Sequence, residues 1–198
     1  MGIKEKFNSI LVSLGLREKE QEDTSVKPED IVYNENIQGE FFGVPFGATK
    51  EEVIEGFAKH NLFPTKDSET NELVFRGQLH ENGISFYGLN FGGFTWTQII
   101  VYFSNNRFYY IRFIAEHNDK ERALRKGAAV FEKLSNVYRM YGLKTEDPSV
   151  LIKHTGLGKT SRQVWLECNS WLTPAENVIA NVFLDYYDEN FYTENNEL

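Results

Sequence analysis

The sequence predicts an α+β fold: an antiparallel sheet of about five to seven strands with two helices on one face, preceded by an N-terminal amphipathic helix. Three observations support this class. Long β-rich runs flank short turn signals, two apolar stripes at helical spacing begin at capping residues, and the last runs alternate apolar and polar residues at period two. Tight hairpins imply an antiparallel sheet, which then needs helices to cover it.

The first element predicted is an amphipathic helix over residues 1–16. Its apolar residues fall at helical spacing, and Gly15 is suited to the left-handed cap that ends a helix. The stripe is Ile3, Phe7, Ile10, Leu11 and Leu14. It needs a partner, either the rest of this chain or a protein or membrane contact. Residues 17–38 are charged and poor in core residues, which predicts a linker.

A single α+β domain is predicted over residues 39–192, followed by an acidic tail at 193–198. It opens with an apolar strand from Phe41 to Phe46. Thr49 and Glu52 then have the spacing of a capping box, which begins the first helix. Strand patterns follow around 72–79 and 83–91, with Glu81-Asn82-Gly83 as the expected turn between them.

The clearest hairpin turns at Asn105-Asn106, because asparagine tolerates the positive φ of a two-residue turn. Uninterrupted pairing places one set of residues on one face: Ile99, Val101, Phe103, Phe108, Tyr110 and Arg112. The other face receives Ile100, Tyr102, Tyr109, Ile111 and Phe113. Both sets are mainly apolar, so we expect both faces of the sheet to be covered. Residues 3–14 or a second copy of the chain would supply the second cover.

The second helix is predicted from Asn118, with Glu121 again in capping position and Gly142 as its end. Its expected apolar stripe is Leu124, Ala128, Phe131, Leu134, Tyr138 and Tyr141. Two last strands follow at 162–168 and 178–187. In these strands the expected core side is Val164, Leu166, Cys168, Val178, Ala180, Val182 and Leu184.

Composition narrows the function classes. The net charge of −8 disfavours nucleic acid, whose phosphates require a positive surface. The single cysteine, Cys168, allows no internal disulfide and is expected to be buried and inert. The four histidines are scattered, which disfavours a structural zinc site, and no cofactor is predicted.

No apolar run is long enough for a membrane helix, and the first residues lack the features of a signal peptide. The sequence therefore predicts a cytoplasmic protein without integral membrane contact. A periplasmic or exported location stays open if a leader has been removed.

The stretch HTGLGKTS, residues 154–161, matches the end of a phosphate-binding loop at Gly158, Lys159 and Thr160. However, Lys153 stands where the first glycine of the motif belongs, and the residues from Arg162 alternate like a strand. A phosphate-binding loop needs a helix N-terminus at this place. We therefore predict an inter-strand loop that binds no nucleotide.

The strongest candidate site is the polar and aromatic side of the last two strands. Five of its residues form the predicted partner-binding set: Trp165, Glu167, Phe183, Asp185 and Tyr187. Mixed aromatic and acidic groups on a sheet face are typical of protein recognition. The alternative is that residues 3–14 or a second copy cover this side. Two weaker candidates are an acid–base cluster at Glu116–Asp119 and a glycine-rich loop at Gly88–Phe94, which reads more readily as a strand irregularity.

The stretch FGVPFGATKEEV, residues 42–53, resembles the opening of small modules of the beta-lactamase-inhibitor-protein-like class and of lipoproteins of outer-membrane assembly. The resemblance covers residues 40–187 and implies a fold whose members mostly bind proteins. It carries no catalytic residues, and this chain differs in having no lipobox cysteine and no disulfide.

The function predicted from the sequence is a non-catalytic protein-interaction module of the inhibitor or immunity type, bound to a partner or to itself. The alternative is a small-ligand binder or enzyme with a pocket near Gly88–Phe94.

Overall fold

The computed structural model describes residues 31–65, 71–75 and 78–192, with side chains at 31–65 and 83–192. The predicted N-terminal helix and acidic tail lie outside these residues. The described chain is α+β, with one large sheet in which every strand pair is antiparallel. The elements are β1 (Glu40–Phe41), β2 (Val44–Pro45), α1 (Lys50–Ala58), β3 (Asn71–Phe75), β4 (Gln78–Phe91), β5 (Phe94–Ser104), β6 (Arg107–His117), α2 (Lys120–Ser135), β7 (Tyr141–Gly142), β8 (Val150–Leu157), β9 (Arg162–Leu172), β10 (Val178–Asp188) and a 3-10 turn (Glu189–Phe191).

The large sheet has eight strands in the order β3-β4-β5-β6-β10-β9-β8-β7. Seven of these strands, as far as the chain is described, have five residues or more, and β7 adds a two-residue edge. The predicted fold class is confirmed at this level. The small sheet is the separate hairpin of β1 and β2.

The predicted first strand is instead this tight hairpin. Phe42 and Gly43 have φ values of 53° and 77°, so the chain reverses within the run that the sequence analysis assigned to one strand. Helix α1 begins as predicted: Glu52 N–H donates to Thr49 Oγ1 at 3.3 Å, and Thr49 N–H donates to Glu52 Oε2 at 2.7 Å. This reciprocal pair is the capping box.

The β5–β6 hairpin turns where the sequence predicts it, with Asn105 and Asn106 at φ values of 48° and 58°. The preceding hairpin turns at Gly92 and Gly93, whose φ values of 61° and 79° are the left-handed conformation that glycine adopts without strain. The predicted turn at Glu81-Asn82-Gly83 is wrong, because β4 runs continuously from Gln78 to Phe91.

A β-bulge in the β5–β6 hairpin corrects the predicted faces. Tyr102 pairs with Tyr110 while Phe103 pairs with Phe108, so Tyr109 is an extra residue on β6. Past the bulge every side chain of β6 changes face. Tyr110 and Arg112 therefore share a face with Ile100 and Tyr102, whereas Ile111 and Phe113 point to the side of Ile99 and Val101.

Helix α2 begins one residue later than predicted and ends earlier. Asp119 is the N-cap and accepts hydrogen bonds from the N–H groups of Glu121 and Arg122. The helix ends at Ser135, and Tyr141-Gly142 forms β7 rather than the last helical turn. Its buried residues are Ala123, Gly127, Val130 and Leu134; the first three each lie one position before a residue of the predicted stripe, and Leu134 was predicted.

Strands β9 and β10 confirm the two predicted last strands. The sequence analysis missed β8, which contains His154 to Leu157 of the supposed loop. After Thr160 the chain enters β9, as predicted, so a strand stands where a phosphate-binding loop would have a helix. Lys159 pairs instead with Glu35.

The main core lies between the sheet and both helices. Cross-strand pairing aligns one row of buried apolar side chains: Phe86, Ile99, Phe113, Leu184 and Leu166. The Phe57 ring of α1 lies 5.0 Å from Phe86, and Gly127 of α2 faces Cys168, two residues beyond Leu166. The two helices therefore cover the same face. Of the predicted core side of β9 and β10, six residues are buried in the main core and Val178 is half-buried; the six are Val164, Leu166, Cys168, Ala180, Val182 and Leu184.

Residues 31–38, which the sequence analysis placed in the linker, run along the edge of β8. Asn34 forms a bridge with Gly158, and Ile37 is buried in the main core. These residues thus belong structurally to the domain. Among the helices in the described ranges, none is long and apolar enough to cross a membrane.

Candidate interaction face

The candidate site lies on the distal face, defined as the face of the large sheet opposite α1 and α2. The register aligns its residues in rows across the strands. One row is Tyr102, Tyr110, Tyr187 and Gln163; the next is Ser85, Ile100, Arg112, Asp185 and Trp165; the third is Tyr87, Gln98, Ile114, Phe183, Glu167 and Lys153; the fourth is Glu116, Asn181 and Asn169. The first two rows are mostly buried, and the last two are more open.

The first two rows, together with Tyr109, form the covered half. Ile100, Tyr102, Tyr109, Tyr110 and Tyr187 are all at most 8% exposed. Trp165, Phe191 and Tyr192 pack against them, and the Tyr102 and Tyr110 rings stack with centroids 5.0 Å apart. This half is an aromatic second core on the side of the sheet that α1 and α2 do not reach.

A buried ion pair stands at the centre of the distal face. The Nε and Nη2 atoms of Arg112 donate to the two carboxylate oxygens of Asp185, both at 2.8 Å. The side chains are 9% and 1% exposed. Burial raises the pKa of Asp185, although the Arg112 charge opposes that rise. Burial alone would lower the pKa of Arg112, but the Asp185 carboxylate, together with Tyr110 and Tyr102, raises it above its usual range and keeps the guanidinium charged.

The third and fourth rows, with Ile179 and Trp171 beyond them, form the open half. Tyr87 and Trp171 are 56% and 40% exposed. Between them lie half-buried Ile114 and Phe183, and Glu116 is exposed. Glu167 already has two partners within the chain. Lys153 Nζ lies 3.2 Å from Glu167 Oε2, and Asn169 Nδ2 donates to Glu167 Oε1 at 2.9 Å. The open half is therefore an apolar and aromatic surface that carries acidic and amide groups.

The five predicted partner-binding residues all lie on the distal face, but in two different environments. Asp185 and Tyr187 are buried in the covered half, and Trp165 packs against that half. Glu167 and Phe183 lie in the open half, where the Phe183 ring also stacks under the Arg112 guanidinium at 4.5 Å. The sequence analysis found the face but could not separate these two halves.

The other predicted candidates separate in space. Strand alternation sends Glu116 to the distal face, whereas His117 pairs with Ala180 on the core side and Asp119 caps α2. Gly92 and Gly93 make the β4–β5 turn, where Lys133 of α2 donates to the Gly92 carbonyl, whereas Gly88 lies within β4 at a φ of 65°. The acid–base cluster does not converge, and the glycine-rich stretch is packed against a helix.

Neither Cys168 nor His154 is an exposed side chain. Cys168 is fully buried, and burial together with Glu167 raises its pKa to about 12. Burial lowers the pKa of His154 to about 4, and its ring lies 4.3 Å from Phe131. Within the part of the chain that the structure describes, no three His, Cys, Asp or Glu side chains are grouped to hold a metal ion.

The sequence matches no protein-family model and no curated protein, and the fold matches no solved structure. The resemblance to beta-lactamase-inhibitor-protein-like modules stays a prediction.

The open half contains several residues that the sequence analysis did not place on this face, among them Asn169, Trp171 and Tyr87. Asn169 and Trp171 continue the alternation of Trp165 and Glu167, but the predicted strand stopped at residue 168. Extending that period by four residues would have found them. Tyr87 comes from a different part of the chain, and only the sheet order brings it to the same face.

Proposed function

We propose that this chain is a non-catalytic protein-interaction module whose binding surface is the open half of the distal face. The observation that carries the proposal is Trp171, 40% exposed on a long strand beside acidic and amide groups. Tryptophan and tyrosine dominate the binding energy of protein interfaces because they bury a large area at small entropic cost.

The sheet gives this surface a fixed shape. Trp171 pairs with Ile179 near the end of the β9–β10 hairpin, and the neighbouring strands β6 and β5 extend the same face toward Tyr87. A pre-formed surface loses little conformational entropy on binding. The net charge of −8 favours a partner with basic groups, because opposite charge accelerates association.

The proposed partner is a protein because the surface is broad. Small-ligand sites are usually clefts that enclose most of the ligand. Here the third row alone crosses six strands, from Tyr87 on β4 to Lys153 on β8. A surface of this breadth fits the folded face of another protein.

Affinity isolation with matched variants tests the proposal. Trp171→Ala removes the exposed ring on the distal face. Leu172→Ala is the control. Leu172 is the next residue of the same strand, is 65% exposed and points to the other face. We expect a protein partner that is retained by wild type and Leu172→Ala and lost with Trp171→Ala. Equal recovery with both variants would contradict the proposal.

A further inference from the structure

The described chain enters the domain at the edge of the distal face. Gly142 of β7 faces the His154 ring, which packs against Phe131 of α2 on the other side of the sheet. Because successive side chains of a strand alternate, Tyr141 points to the distal face. Its hydroxyl donates to the Val32 carbonyl at 3.1 Å and accepts from the Val32 N–H. The residues that precede Val32 therefore reach the sheet from the distal side.

This entry point lies next to the open half. Tyr141 pairs with Thr155, and Thr155 pairs with Trp165 of the second row, so the entry is at the outer end of that row. Three strand spacings, about 14 Å, separate β7 from the central strand β10. A flexible chain as long as the fourteen residues 17–30 spans about 20 Å on average. A segment that precedes residue 17 can therefore lie over the open half.

Residues 3–14 have the length and chemistry of a cover for this surface. Twelve residues of helix are about 18 Å long, and the open half is about 24 Å wide from β4 to β8. Residues 7–16 carry no charged side chain, which suits a surface with Ile114 and Phe183 at its centre. A helix this short is marginal in water and needs an apolar surface to form. Its five large apolar side chains at helical spacing are Ile3, Phe7, Ile10, Leu11 and Leu14.

The other faces of the described sheet already have their covers. Helices α1 and α2 pack on one face, and Trp165, Phe191 and Tyr192 pack against the covered half of the distal face. The open half keeps Tyr87 and Trp171 at 56% and 40% exposed. It is therefore the face on which the apolar stripe of residues 3–14 finds an apolar surface.

We infer that residues 3–14 dock on the open half of the same chain and cover it until a partner protein displaces them. The inference rests on the proposed function and names the regulation of that surface. Docking buries the apolar stripe against Ile114, Phe183 and Trp171. It lowers the apparent affinity for the partner in proportion to the fraction of chains whose surface is uncovered.

Paramagnetic nuclear magnetic resonance on the full chain tests the docking. A nitroxide label is attached to Ser9→Cys, on the side of the predicted helix away from the stripe. Cys168 is fully buried, and its pKa is raised to about 12, so the label does not react there. We expect the label to broaden the Trp171 indole signal and the backbone amide signals of Ile114 and Phe183. The amide signals of α1, on the opposite face of the sheet, should stay sharp.

Two matched variants show whether the apolar stripe makes the contact. Ile10→Asp/Leu14→Asp puts two charges into the stripe and should abolish the broadening. Asn8→Asp/Ser13→Asp adds the same charge outside the stripe and should leave the broadening unchanged. Removing the cover should also tighten binding of the partner found by affinity isolation at least about fivefold, since more chains then present the open surface. The control variant should bind this partner as the wild type does.

The outcomes separate this inference from the proposed function. Sharp signals across the open half, or broadening that persists in Ile10→Asp/Leu14→Asp, would overturn the docking. Broadening of an unlabelled, isotope-enriched chain by a labelled second chain would instead identify a second copy as the occupant. Unchanged partner affinity in Ile10→Asp/Leu14→Asp would overturn the displacement. If Trp171→Ala retains the partner, the proposed function fails even where the intramolecular contact is found.

Discussion

The buried ion pair of Arg112 and Asp185 makes a quantitative prediction about the distal face. Arg112→Met keeps a side chain of similar length but removes the guanidinium that gives Asp185 two hydrogen bonds of 2.8 Å. The carboxylate then stays in a position that is 1% exposed. Water cannot replace the lost donors without opening the aromatic cluster around them.

Removing one member of a buried ion pair costs about 3–5 kcal/mol, whereas replacing both members by apolar groups is often close to neutral. We therefore expect Arg112→Met to lower the free energy of unfolding by about 3–5 kcal/mol. The double variant Arg112→Met/Asp185→Leu should recover at least about 2 kcal/mol of that loss. The control is Arg125→Met on α2, which breaks an exposed pair with Glu121 and should cost only about 0.3–0.5 kcal/mol.

Urea unfolding followed by tryptophan fluorescence measures these differences. The direction in which this loss of stability changes with pH can also be predicted. Burial raises the pKa of Asp185, and removal of Arg112 raises it further, so the native variant binds a proton more readily than the unfolded chain. The difference in free energy of unfolding between the wild type and Arg112→Met should therefore become smaller as the pH falls. A loss below about 1 kcal/mol, or a double variant no more stable than the single one, would refute this reasoning.

Three further predictions concern the core. Gly56→Ala should lower the free energy of unfolding by about 1–3 kcal/mol, because its Cβ would lie 2.1 Å from Val44 Cγ2. Gly127→Ala has its nearest contact at 3.5 Å and should raise the free energy of unfolding by up to about 1 kcal/mol through helix propensity. Thermal unfolding of both variants tests this, and changes of the same sign would contradict it. Burial lowers the pKa of His154 to about 4, so this residue should lower the free energy of unfolding by about 3 kcal/mol as the pH falls from 6.5 to 4. His154→Leu should remove this part of the pH dependence, and an unchanged pH profile in the variant would count against the assignment. Residues 1–20 lie outside the described residues, and their deletion should lower the free energy of unfolding by several kcal/mol. The expected loss is about 1.5–3 kcal/mol for each apolar side chain that the segment buries. An unchanged melting temperature and oligomeric state would show that this segment is not part of the core.

Local signals explain what the sequence could predict. The capping box of Thr49 and Glu52 and the turn at Asn105-Asn106 depend only on neighbouring residues, and both are present. The alternation of β9 and β10 gave the correct faces because those strands pair without interruption. Where local chemistry decides the structure, sequence reasoning succeeded.

The errors come from features that depend on distant contacts. The bulge at Tyr109 leaves the apolar pattern unchanged but moves Tyr110 and Arg112 to the distal face, and the sequence carries no local mark of it. Strand β8 has a polar second half, and its place beside β9 supplies the pairing that its composition does not indicate. The candidate site was found in part, because alternation identifies a face but burial decides which of its residues a partner can reach.

The central claim is that the open half of the distal face binds a protein, and photo-cross-linking in living cells tests it most directly. A benzophenone amino acid placed at position 87, where Tyr87 is 56% exposed, lies on the proposed surface and leaves Trp171 in place, and the same group at position 172 points to the other face. We predict a defined cross-linked partner from position 87, absent from position 172 and lost when Trp171→Ala is combined with it. Cross-links of equal yield and identity from both positions, or none from position 87, would contradict the account.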